Sequence, residues 1–114
     1  MDNSVKVWDI RPYVVGGDDS NRCTQTMYGI QHNFEKNLLR CSWNHAGTMV
    51  TAGSADRFVC VWDVSMGGTD SAKMVQRLGG HHGSVNEVVF NPNPGHANLL
   101  ASCSSDKSIY IGEL

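Results

Sequence analysis

The chain has 114 residues, with 40% hydrophobic and 18% charged side chains, the balance of one small globular domain. Its formal net charge of −2 leaves no basic surplus of the kind a polyanion binder carries. No apolar run approaches the roughly 20 residues that cross a bilayer as a helix, and Met1-Asp2-Asn3-Ser4 lacks the basic start and apolar core of a secretory leader.

Alternation and turn residues predict strands near 4–8, 22–28, 38–43, 48–53, 58–63, 73–78, 85–90, 98–103 and 108–113. Turn clusters separate them: Gly16-Gly17-Asp18-Asp19, His45-Ala46-Gly47, Gly67-Gly68 and Asn91-Pro92-Asn93-Pro94-Gly95. No segment sustains a helical period; residues 34–40 could make one turn at most. Cys23, Cys41, Cys60 and Cys103 form no CxxC pair. They are expected to be reduced, mostly buried thiols of an intracellular protein.

The strand at 58–63 breaks the usual alternation. "DRFVCVWDV" (56–64) runs Phe58, Val59, Cys60, Val61 and Trp62 without a polar residue. A strand wet on one face would leave half of that row exposed, at about 25 cal/mol per Å² of apolar area. Two relatives of the stretch occur in the same chain: "DNSVKVWDI" (2–10) and "DKSIYIGEL" (106–114). Their opening aspartates Asp2, Asp56 and Asp106 recur about every 50 residues. "AGSAD" (52–56) aligns with "SCSSD" (102–106), and "LLRCSWN" (38–44) with "VNEVVFN" (85–91), which places Trp43 opposite Phe90. Four short strands per unit at this period imply an all-β propeller, in which each sheet is covered on both faces by its neighbours.

Val7-Trp8-Asp9, Val61-Trp62-Asp63 and Gly80-His81 resemble the WD-repeat (WD40) family, in which Gly-His opens a unit and Trp-Asp closes its third strand. The segments "HNFEKNLLRCSW" and "AGSADRFVCVWD" are similar to the branch of that family found in the U5 small nuclear ribonucleoprotein of the spliceosome. The resemblance fails in the linkers 13–21 and 64–72. It implies the end of a seven-bladed propeller, so that the chain is expected to be a fragment or a truncated gene model, with Met1 an internal methionine of the parent chain. On that reading 1–30 gives the last two strands of one blade with a linker, 31–78 a complete blade, and 79–114 three strands of the final blade. About two to two and a half blades would expose sheet faces and an edge, and weak stability with self-association is expected. The implied function is a nuclear, non-enzymatic scaffold for protein partners of the U5 particle. A WD-repeat adaptor elsewhere, in ubiquitin ligase substrate reception or chromatin work, is the alternative that the fold alone leaves open.

His81, Ser102 and Asp106 have the residue types of a catalytic triad, but no nucleophile elbow or oxyanion hole accompanies them. The resemblance implies instead a structural network in which histidine joins the turn aspartate and a second-strand Ser or Thr, which reaches the third-strand Trp. The last unit has Gly112 where the Trp would stand. The middle unit has Asp56 and Trp62 but Ala52 in place of Ser, with His32 as its displaced histidine. Cys41-x3-His45 and the adjacent His81-His82 do not make a four-ligand zinc spacing, and no phosphate loop occurs, so no metal or cofactor is expected. The expected partner surface comprises Phe34, Glu35, Lys36, Arg57, His82 and Lys107 on loops that the resemblance places at one propeller face. Phe34 is either an interface anchor or folded between blades. Arg57 and Lys107 share one repeat position, which also suits a solvated turn. The charge balance gives no indication of direct RNA contact. No membrane or small-molecule substrate is expected.

Overall fold

The computed structural model describes residues 2–12, 22–32, 38–65 and 72–114. Nine strands follow one another: β1 (Ser4–Trp8), β2 (Cys23–Tyr28), β3 (Cys41–Trp43), β4 (Met49–Gly53), β5 (Val59–Asp63), β6 (Lys73–Leu78), β7 (Val85–Phe90), β8 (Leu99–Ser104) and β9 (Ile109–Glu113). The Asn-Pro cluster after β7 forms a 3-10 turn at Pro94–His96, where the Asn93 side chain accepts from the Gly95 amide. Among the described residues this is the sole helical element.

The strands pair only with chain neighbours, all antiparallel, into sheets of order β1-β2, β3-β4-β5-β6 and β7-β8-β9. The architecture is all-β, the antiparallel sheets that the repeat predicts for part of a propeller. β3 starts later than its sequence pattern, which reached back to Leu38. The Arg40 amide donates to the Asn86 carbonyl of the next sheet at 3.0 Å, so the chain there pairs sideways instead of with β4. Ser42 Oγ likewise accepts from the Phe90 amide at 3.4 Å, so the first strands of neighbouring sheets abut.

The core lies in two seams on either face of the middle sheet. Alternate β5 residues point opposite ways. Cys60 and Trp62 join Met27, Ile30, Val50 and Ala52 against the first sheet. Val59 and Val61 join Val85, Val88, Phe90 and Leu100 against the third. The apolar run 58–62 is thus buried because both faces of β5 are covered. Trp43 and Phe90 occupy matching positions but differ: Trp43 is 49% exposed and Phe90 5%. Phe90 has the four-stranded sheet beside it, whereas the first sheet has two strands and leaves Trp43 uncovered.

The seams bring backbones close. A Cβ on Gly53 would lie 2.1 Å from the Val85 carbonyl oxygen, a backbone atom that cannot swing aside. Gly53→Ala is therefore expected to cost about 1–3 kcal/mol by forcing the second and third sheets apart. Urea denaturation checks this, and an unchanged midpoint would contradict the close approach.

The cysteines are free, as expected, but they are not mostly buried. Cys60 is buried, Cys23 and Cys103 are intermediate, and Cys41, on β3, is exposed. Burial, then the nearby Asp56 charge, pushes the Cys60 thiol up to about 11, which makes it unreactive at neutral pH.

Each repeat has the same tight turn. Asn3, Arg57 and Lys107, which follow the three repeat aspartates, have φ of 60°, 78° and 68°. Asparagine tolerates this left-handed region; for other side chains it costs about 1 kcal/mol. Ser54 accepts from the Arg57 amide and Ser104 from the Lys107 amide, closing both hairpins alike.

Candidate interaction surface and its supporting hydrogen-bond network

At one end of the third sheet, His81 follows Gly80, whose φ of 133° turns the chain inward. The ring is buried and joins three elements. Nε2 lies 2.8 Å from Ser102 Oγ on β8. Nδ1 lies 3.2 Å from Asp106 Oδ2 and 3.1 Å from Ser108 Oγ, both in the turn before β9. Tyr110 stacks on the ring with centroids 4.4 Å apart. A proton on Nδ1 satisfies every member: Nδ1–H donates to the carboxylate, and Nε2 accepts from the Ser102 hydroxyl.

Asp106 also accepts from the His82 amide at 2.7 Å, the Ser108 amide at 2.9 Å and the Ser108 hydroxyl. The Ser108 hydroxyl first, with the His82 amide next, holds this carboxyl far below the ordinary carboxylate range. The distances among Ser102, His81 and Asp106 resemble those of a nucleophile, base and orienting acid. Ser102, however, is 4% exposed and sits mid-strand, in register between Val88 and Tyr110. Strand pairing on both sides leaves no backbone donors grouped around its hydroxyl for an oxyanion.

The middle unit differs from the arrangement expected for Asp56, Trp62 and His32. Asp56 pairs with Arg77 of β6, whose guanidinium lies 4.0 Å above the Phe58 ring. With alanine at 52, Trp62 has no second-strand hydroxyl to meet. Its indole N–H instead donates to the Tyr28 carbonyl of the first sheet at 3.0 Å. Among the described residues no hydrogen bond joins His32 to Asp56. Its amide donates to Asn3 Oδ1 at 2.8 Å, and its Nδ1 is buried without a partner among the described residues, as is Asp56 Oδ1.

Of the expected surface, Phe34, Glu35 and Lys36 lie outside the described residues. Arg57, His82 and Lys107 are exposed, and backbone bonds link their loops. Ser54 accepts from Val85 at 3.0 Å, and Ser84 accepts from Ser105 at 3.0 Å. The loop 81–84 therefore runs between the turns that carry Arg57 and Lys107.

Sequence reasoning missed Ser108, Tyr110 and Arg77. Ser108 was legible in Asp106-x-Ser108, the same turn that Asp2 and Ser4 make. Arg77 is 21 residues from Asp56 and carried no local signal. Among the described residues, no three His, Cys, Asp or Glu side chains converge as a metal site; Cys41 and His45 are both exposed.

The family description "WD domain, G-beta repeat" matches residues 21–63 and 72–111. The chain belongs to the WD-repeat family. The human U5 small nuclear ribonucleoprotein 40 kDa protein is 50% identical over 93 residues, 82% of this chain and 24% of that protein. The Schizosaccharomyces pombe pre-mRNA-splicing factor cwf17 is 40% identical over 106 residues, 93% of this chain and 27% of the relative. THO complex subunit 3 of Arabidopsis thaliana is 33% identical over 77 residues, 68% of this chain and 24% of that subunit. The chain thus spans about a quarter of the length of these curated relatives. Its second and third WD-repeat sheets hold both Gly80-His81 and the Trp62-Asp63 pair, and Asp63 turns the chain by accepting from the Ser65 amide at 2.8 Å.

Proposed function

We propose that this chain is a protein-interaction scaffold of the U5 small nuclear ribonucleoprotein in nuclear pre-mRNA splicing. The observation that carries the reading is the 50% identity to the human U5 protein across 82% of the chain. Similarity to the fission yeast splicing factor, over 93% of the chain, supports it. On this reading 31–78 is one complete blade, flanked by two strands of the blade before it and three of the blade after. The His81–Ser102–Asp106 cluster has a structural part, fixing the loops that present Arg57, His82 and Lys107 to partners. No chemistry is assigned to it, because its serine hydroxyl is buried and engaged.

Pull-down of the tagged chain from nuclear extract, read by mass spectrometry and RNA detection, tests this. Recovery of U5 proteins with U5 RNA is the expected result. Recovery of another complex without spliceosomal components would keep the scaffold and overturn the splicing assignment.

A further inference from the structure

We infer that the end of the molecule formed by the Arg57 turn, the 81–84 loop and the Lys107 turn docks an acidic protein segment. This deepens the scaffold reading and rests on it. Both cations occupy left-handed backbone, with φ of 78° and 68°, where the first repeat places the better-suited Asn3. Among the described residues neither side chain makes an ion pair or hydrogen bond in return: the bonds made by Arg57 and Lys107 are those of their backbone amides. The aspartate beside each cation is committed elsewhere. Asp56 pairs with Arg77, and Asp106 is held by His81, His82 and Ser108. Among the described residues, two exposed positive charges are thereby left unpaired, in a chain whose formal net charge is −2. His82 adds an exposed ring between them, and its amide is fixed by Asp106. Backbone bonds from Val85 to Ser54 and from Ser105 to Ser84 hold the three loops in register, so the charges have a rigid support.

Acidic protein fits this end better than RNA. A single-stranded nucleic acid needs free aromatic faces on which to stack. Among the described residues, Phe58 and Tyr110 beside these loops each have a ring face taken, Phe58 by Arg77 and Tyr110 by His81. Carboxylates on an extended segment need only exposed cations at fixed spacing.

The test is fluorescence anisotropy with a labelled ten-residue polyglutamate peptide and a labelled decauridine, at about 50 mM salt where screening is moderate. The chain is compared with the double variant Arg57→Asn plus Lys107→Asn, which removes both charges and gives each turn the residue found at position 3. The peptide is expected to bind the chain and to bind the variant about fivefold or more weakly. The variant should melt at the same temperature or higher, because its turns are eased. That combination separates a docking role from a structural one, which would lower the melting temperature. Equal peptide binding by both proteins, no peptide binding, or tighter binding of decauridine would each overturn the inference. Recovery of U5 components by a chain that ignores the peptide would sink this inference alone; loss of U5 recovery would sink the scaffold assignment itself.

Discussion

Replacing Trp62 with alanine is expected to destabilise the chain by about 3–5 kcal/mol, enough to unfold most of it at 25 °C. Trp62 is fully buried and is among the largest side chains in the seam with Met27, Ile30, Val50, Ala52 and Cys60. That seam is what joins the two-stranded sheet to the rest of the molecule. Its indole N–H is also a polar tie across the seam, to the Tyr28 carbonyl at 3.0 Å. Truncation therefore empties the cavity and orphans that carbonyl at once. Trp62→Phe separates the two contributions: it keeps most of the apolar volume, loses the hydrogen bond, and should cost about 1–2 kcal/mol. Far-UV circular dichroism in urea gives both midpoints. An alanine variant as stable as the parent chain would mean that the first sheet does not depend on this contact.

The repeat in the sequence carried the architecture because its signals are local. Asp2, Asp56 and Asp106 each open a tight turn into a strand, and the run 58–62 declares burial on two faces before any neighbour is known. Eight of the nine strands fall within about a residue of their patterns for this reason, with β3 alone shortened by its sideways bond to Asn86. The site was less legible. His81, Ser102 and Asp106 meet because their positions in the repeat, on a loop, a strand and a turn, dictate it. Asp56 has the repeat position of Asp106 and Trp62 that of Gly112, yet with alanine at 52 the indole goes to Tyr28, while Arg77 takes the carboxylate. Such partners lie 21 and 34 residues away. Nothing in a local pattern chooses among them; the choice is made by which polar group remains unsatisfied after packing. Exposure of Cys41 and Trp43 follows from the same kind of long-range fact: among the described residues the first sheet has only β1 and β2.

His81→Ala should cost about 2 kcal/mol and, more tellingly, should flatten the response of stability to acid. The ring joins Ser102 on β8 to Asp106 before β9 and stacks on Tyr110, so its loss leaves the Ser102 hydroxyl buried without a partner. Asp106 is held ionised by the Ser108 hydroxyl and the His82 amide, with His81 contributing. A carboxyl whose folded value is depressed stabilises the fold above its ordinary value, near 3.8, and loses that contribution as pH falls below it. Melting temperature should therefore decline as the chain is taken from pH 5 to pH 2, with Asp2, Asp9 and Asp63 contributing because hydrogen bonds lower them too. Asp106→Asn should start lower at neutral pH and decline less steeply, and His81→Ala should fall between it and the parent chain. Differential scanning calorimetry across this range reads all three slopes. A parallel decline in all three would place the acid response in the exposed aspartates and not in the histidine cluster. A flatter slope in both variants would locate it where β8, β9 and the loop 81–84 are tied together, so that acid would loosen the same loops that hold His82 and Lys107 in place.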